Sequence, residues 1–421
     1  MPNPAGVNGT NNGTCPSDEI LGPYLHDLAH RGLKLRDRLL YLEKDFGYVI
    51  KQTKLKELNR QFGVGTVRKP PPMALATTAV CAAVAEDPAA RNGPSTIQNE
   101  IRRSQKIFIP RDTCRQIMLK NFPHGAEMRF PGKKSPRPQR GKLQRGDGPF
   151  QEVHCDGHEK LNQKALRMGQ VSINQYGMRD HSSGRILSQV VVPDARCSST
   201  VAHIYLDCIE KYGMVFMQLT VDGGSETGEM YACHKALRDK YFPGEAHPTF
   251  AALKSVHNIV IESSWGQWLK FGGDSLRQTI ELGKTSGYFV QGNGIHVDLF
   301  HWLWSKIVQK RVNEFVDHWD NHITRKQSAS NLPNGVSPRM VFDFPANFGM
   351  RMCGQKVKQE DIDELRATIP KSQVECFRWV SEEFEEAAQY VYEQLGSPEL
   401  TISEGWAIFS QMAQHLHPYI L

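Results

Sequence analysis

Three acidic residues stand where carboxylate chemistry could use them: Asp156 in Glu152-Val-His-Cys-Asp-Gly-His158, Asp222 at the head of Asp222-Gly-Gly-Ser-Glu226, and Glu262 in Val256-His-Asn-Ile-Val-Ile-Glu-Ser-Ser-Trp265. Packed closely, three carboxylates repel, and two hard divalent cations with oxygen ligands offset that repulsion. The chemistry open to such a cluster is metal-assisted.

The flanking patterns say which elements must position these acids. Residues 152–161, 170–176 and 185–192 read as a three-stranded antiparallel meander with Asp156 on its first strand, and Asp180-His-Ser-Ser-Gly184 as a turn. Ser198 or Ser199 can cap a helix to about Tyr212 that buries Val201, Ile204, Tyr205, Cys208 and Ile209 on one face. Residues 214–221 form a fourth strand ending at Asp222. A tight turn at 223–226, a helix over 227–241 and a fifth strand over 249–253 follow. Glu262 falls on the next helix, sharing a face with Ile259 and Gly266.

Residues 150–345 resemble the integrase core of retroviral-integrase-like and DDE-type transposases, a ribonuclease-H-like fold. The matching positions are Asp156, Asp180, Arg185, Asp222-Gly-Gly-Ser-Glu226, His257-Asn258, Ile261-Glu262 and Trp265, then Trp319-Asp-Asn-His322, Arg325 and Pro333-Asn-Gly-Val-Ser-Pro338. The 39 residues between Asp222 and Glu262 exceed the usual retroviral spacing. The resemblance implies DNA strand cleavage and strand transfer with two Mg²⁺ or Mn²⁺ ions, Asp156 bridging both and Asp222 and Glu262 holding one each. It further implies element ends and target DNA as partners, and a homo-oligomer. His154, His158 and Glu226 either assist or serve local hydrogen bonds. Two other readings stay open: a domesticated, inactive DNA-binding regulator, and a ribonuclease-H-type nuclease.

The rest of the 421 residues is expected to form a tail (1–20), two helix-turn-helix domains (21–70 and 71–128), a basic linker (129–149) and an acidic helical region (346–421) around an α/β core with a mixed five-stranded sheet. The formal charge of +6 is unevenly spread: residues 21–150 hold 25 basic and 11 acidic side chains (25 − 11 = +14), and residues 359–404 hold 3 and 12 (3 − 12 = −9). A basic front half suits phosphate contacts. Lys51, Lys54, Lys56 and Arg60 lie on one presumptive reading helix, Arg111 and Arg115 on another, and Lys133, Lys134, Arg137 and Arg140 in the linker. His26 and His30 lack a following Cys-x-x-Cys and read as ordinary helix residues. The nine cysteines show no metal-type pairing, as expected of reduced thiols. Nothing resembles a signal peptide or an 18-residue apolar run, so a nuclear location is expected in a eukaryote and a cytoplasmic one otherwise.

Overall fold

In the computed structural model, which describes residues 12–129, 146–158, 171–253, 258–328 and 330–416, the apolar spacing of the first hundred residues builds helices only. These are α1 (Asp18–His30), α2 (Leu35–Phe46), α3 (Gln52–Gln61), α4 (Met73–Ala85), α5 (Pro94–Ser104), α6 (Arg111–Asn121) and α7 (Gly125–Arg129). Leu21, Leu25, Leu42, Tyr48, Leu55 and Leu58 form one apolar cluster, and Val80, Ile97, Ile101, Ile109, Ile117 and Met118 belong to a second. The two clusters lie in a single unit, residues 12–85 with 92–129 among those described. Arg102 of α5 donates from Nε to His30 O at the end of α1 (3.1 Å), and the His30 ring lies tilted against Phe108 at 5.5 Å, so the two clusters, one on each side of residue 70, touch. α1 begins at Asp18, inside the span expected as tail, and α4 begins at Met73, as its run of Met, Ala and Leu favours.

The second unit comprises residues 86–91 and 146–416. Its strands are β1 (Glu152–His158), β2 (Asn174–Asp180), β3 (Ile186–Val192), β4 (Met214–Val215), β5 (Gln218–Asp222), β6 (Phe250–Leu253) and β7 (Gln355–Lys356). Five of them make one mixed sheet in the order β3-β2-β1-β5-β6, antiparallel across β1, β2 and β3 and parallel from β1 to β5 to β6. The helices are α8 (Ser198–Tyr212), α9 (Gly228–Tyr241), α10 (Ile259–Trp268), α11 (Asp274–Thr285), α12 (Gly294–Asn321), α13 (Pro338–Asp343), α14 (Gln359–Thr368), α15 (Gln373–Phe377), α16 (Glu382–Gln394) and α17 (Gly405–Leu416).

The period-two alternation of strands divides β1 and β5 cleanly. Val153, Cys155, Leu219 and Val221 enter the core shared with α8 and α9. Glu152, His154 and Asp156, with Gln218, Thr220 and Asp222, then fall on the opposite face, the one covered by α10.

Two strands differ from expectation. β2 runs to Asp180 instead of stopping at 176, because its ladder with β1 pairs Asp156 with Gly177 and Val153 with Asp180. The expected fourth strand is split: Met214–Val215 pairs with β7 in a separate two-stranded sheet, while Met217 N donates to Phe150 O (2.9 Å) and β5 joins β1. The region after 345 is no separate module either. Trp302, Trp304 and Phe315 of α12 share one core with Phe384, Trp406, Phe409 and Met412 of α16 and α17, and Ile362 of α14 joins the core under α8.

Candidate active site

Asp156 and Asp222 reach the same place by backbone register alone. β1 and β5 run parallel with Glu152 opposite Gln218 and His154 opposite Thr220, and continuing that register by two residues sets Asp156 beside Asp222. Neighbouring strands lie about 4.8 Å apart. Both carboxylates are partly exposed at the carboxyl ends of their strands.

α10 brings the third acid. Its Trp265 lies across β2, where Gly177 has no side chain: a Cβ there would sit 2.8 Å from the indole Cη2. From that seat Trp265 Nε1 donates to Asp156 Oδ2 at 2.9 Å. Glu262, three residues earlier and so on an adjoining part of the same helix surface, is partly exposed. Arg179 fixes the helix further, donating from Nη1 to Val260 O (2.7 Å), Ser263 Oγ (2.7 Å) and Ser264 Oγ (2.9 Å).

A fourth carboxylate joins this end. After Asp222 the chain makes a short 3₁₀ turn, and Glu226 folds back so closely over Gly224 that a Cβ at 224 would meet its Oε1 at 2.1 Å. The buried Tyr176 hydroxyl is held well above its ordinary value, first by burial, then by Cys155, Asp156, Glu226 and Asp222.

The start of the same polar face holds a second cluster. His154, buried, places Nδ1 2.8 Å from Asn258 Oδ1, and Asn258 Nδ2 donates to Cys155 O (3.1 Å). Since Asn258 presents its oxygen, His154 donates from Nδ1 and turns the lone pair of Nε2 toward His181 Nδ1 (3.0 Å) and Glu152 Oε1 (3.3 Å). Glu152 Oε1 also accepts from Thr220 Oγ1 at 2.6 Å. Burial lowers the His154 imidazole to about 4, so it is neutral near pH 7. The spacing Glu152-x-His154-x-Asp156 beside Gln218-x-Thr220-x-Asp222 is the signal that reveals this cluster in the sequence.

Other residues that match the family resemblance have architectural partners. Asp180 is buried and accepts from Phe150 N (2.7 Å), Ser183 N (2.7 Å) and Ser183 Oγ (2.6 Å), while burial raises its carboxyl above the usual range. Arg185 pairs with Asp320 (3.0 Å) and Asp343 (3.3 Å), and Trp319 Nε1 donates to Gly184 O (2.8 Å), clamping the β2–β3 turn to α12 and α13.

In the amino-terminal unit Lys51, Lys54, Lys56 and Arg60 are exposed on or beside α3, with Lys54 3.8 Å from Glu57. Arg111 and Arg115 are exposed on α6, and Arg111 Nε donates to Ser95 Oγ at 2.9 Å. His26 Nε2 lies 2.9 Å from Phe62 O, a helix-end contact. Lys133, Lys134, Arg137 and Arg140 lie outside the described residues, as do His257 and the side chain of His158.

Residues 146–339 match the family model of the integrase core domain, which supports an integrase-core, DDE-type family for this segment. Its mixed five-stranded sheet flanked by helices is the ribonuclease-H-like arrangement expected of it. A comparison with curated proteins gives no significant match. Among the described residues no helix is long and apolar enough to cross a membrane.

Proposed function

We propose that the protein is a transposase or integrase that cuts DNA strands at element ends and joins them to target DNA. The observation that carries this reading is the convergence of Asp156 and Asp222 on adjacent parallel strands under α10, the helix that bears Glu262 and whose Trp265 holds Asp156. The donors at this end are carboxylate oxygens, which fit hard divalent ions, and all three acids of the triad are partly exposed. Asp156 would ligate both ions, and Asp222 and Glu262 one each. When bound, Mg²⁺ or Mn²⁺ supplies activation of a water or 3′-hydroxyl and stabilisation of the leaving oxygen. Trp265 keeps the Asp156 carboxylate turned toward α10, and Gly177 gives the indole room to do so. The exposed cations of α3 and α6 supply DNA contacts, and a homo-oligomer brings two ends together.

The test is strand transfer by the purified full chain on duplexes carrying element ends, in Mg²⁺ or Mn²⁺. Asp156→Asn, Asp222→Asn and Glu262→Gln should each bind DNA as the parent does and transfer no strand; full activity in any one overturns the assignment. Sequence-specific binding without nicking by the parent selects a non-enzymatic regulator, and preferred cleavage of RNA–DNA hybrids selects a nuclease.

A further inference from the structure

We propose that Glu152, His154 and His181 form a separate site for a transition-metal ion of the Zn²⁺ type, at the opposite end of the polar face from the carboxylates. The donor atoms come from three places, the start and middle of β1 and the residue just after β2, and all lie within 4.8 Å of one another. Their separations are 3.0 Å (His154 Nε2 to His181 Nδ1), 3.3 Å (His154 Nε2 to Glu152 Oε1) and 3.6 Å (His181 Nδ1 to Glu152 Oε2). A tetrahedral Zn²⁺ with bonds of about 2.0–2.1 Å holds its ligand atoms roughly 3.3 Å apart, close to the contacts that Glu152 makes through Oε1 to His154 and through Oε2 to His181. Two imidazoles and one carboxylate suit zinc, whereas carboxylates alone suit magnesium.

The groups behind the donors strengthen the case. Asn258 fixes His154 in the tautomer that leaves Nε2 free to ligate, and Thr220 orients Glu152 through the 2.6 Å bond to Oε1. Without an ion, the 3.0 Å contact between the histidines is a hydrogen bond from His181 Nδ1–H to His154 Nε2. An ion takes that proton's place, with His181 carrying its proton on Nε2 instead. His181 also lines a cavity of about 250 Å³ between the β2–β3 turn, α10 and α13, which offers an entry path and room for water as a fourth ligand. His154, the ligand nearest in sequence to the carboxylates, is two residues from Asp156 on one strand, about 6.6 Å, beyond the ~4 Å that separates ions in a two-metal centre.

Such an ion would tie β1 to the end of β2 and, through Asn258, to the residue that opens α10, four positions before Glu262. It would act as a staple on the helix that carries the third acid.

The experiment uses the full chain with Asp156→Asn, Asp222→Asn and Glu262→Gln combined, which removes the carboxylate site and makes the outcome independent of the proposed strand transfer. After chelation and readdition, one Zn²⁺ per chain should be retained, and Co²⁺ should give the visible absorption of a tetrahedral site. His181→Ala and Glu152→Gln should abolish both signals, and Asn258→Ala should weaken Zn²⁺ binding by about 10–100-fold. His181 is the less enclosed of the two histidines, and its variant, checked by circular dichroism, keeps the test sound should His154→Ala not fold. Zinc should raise the melting temperature of the parent and not that of His181→Ala. No retained zinc, or equal zinc in the His181→Ala and Glu152→Gln proteins, overturns the proposal.

Discussion

The two ends of the polar face on β1 and β5 arise from the same alternation and differ in what surrounds them. At the start, His154 is buried and Glu152 is tied to Thr220, each polar atom meeting another across two strands and a turn. At the far end, Asp156 and Asp222 stand partly exposed where the strands stop, with an indole N–H on one side of Asp156. Imidazoles and a carboxylate already oriented by protein partners suit a transition-metal ion that braces the fold. A carboxylate at a strand end beside other carboxylates is placed for a cation.

That contrast can be broken by substitution. The largest effect is expected at the far end: Asp156→Asn, Asp222→Asn or Glu262→Gln should lower strand transfer by at least ~10³-fold, since metal assistance is worth several kcal/mol, with little change in melting temperature. If Glu152→Gln abolished transfer equally while leaving the melt and metal content unchanged, the division between the two ends would be wrong. Next in size is the clamp beside the start of the face. Arg185→Ala leaves the buried Asp320 without its ion-pair partner and should destabilise the second unit by about 3–5 kcal/mol in urea denaturation.

Smaller effects probe the seam between the ends. Gly177→Ala forces a Cβ against Trp265 and should cost about 1–3 kcal/mol of stability together with activity. Trp265→Phe removes the donor to Asp156, worth about 1.5–3 kcal/mol, and part of a buried indole, so activity should fall by about ten- to a hundredfold and the melting temperature should drop as well. The least effect on the core is expected from charges in neither setting. Arg115→Ala should relax base preference in selection from a random pool, by roughly 1–3 kcal/mol at one position, and more than Arg111→Ala, because Arg111 is turned toward Ser95. Lys54→Ala and Lys56→Ala should weaken binding to all sequences, each reducing the salt slope by about 0.9.

The succession of strands and helices through the core was legible because each element there repeats its period over enough residues. The helix at 198–212, the strand end at Asp222 and the helix that bears Glu262 all stand within a few residues of where polarity and turn chemistry place them. What could not be read is long-range. No local pattern tells that Met214–Val215 leaves the main sheet for Gln355–Lys356, or that Arg185 meets Asp320 and Asp343. The same holds for His181, which joins His154 only through the β1–β2 register. The packing of the residues after 345 was hidden for a related reason: amphipathic helices look alike whether they stand apart or complete a neighbour's core.

That last packing has a consequence for synthesis. Trp302 and Trp304 of α12 meet Tyr392 and Trp406, which belong to α16 and α17, the latter ending at Leu416. At about 5–20 residues per second, a ribosome needs roughly 5–20 s to travel from Asn321 to Leu416, and for that time the aromatic flank of α12 lacks its native partners. The helical clusters of residues 12–129 draw their cores from chain already made and can close long before. Maturation of the integrase unit should therefore wait on its last helices, making the nascent chain, not the finished protein, the form most dependent on chaperones.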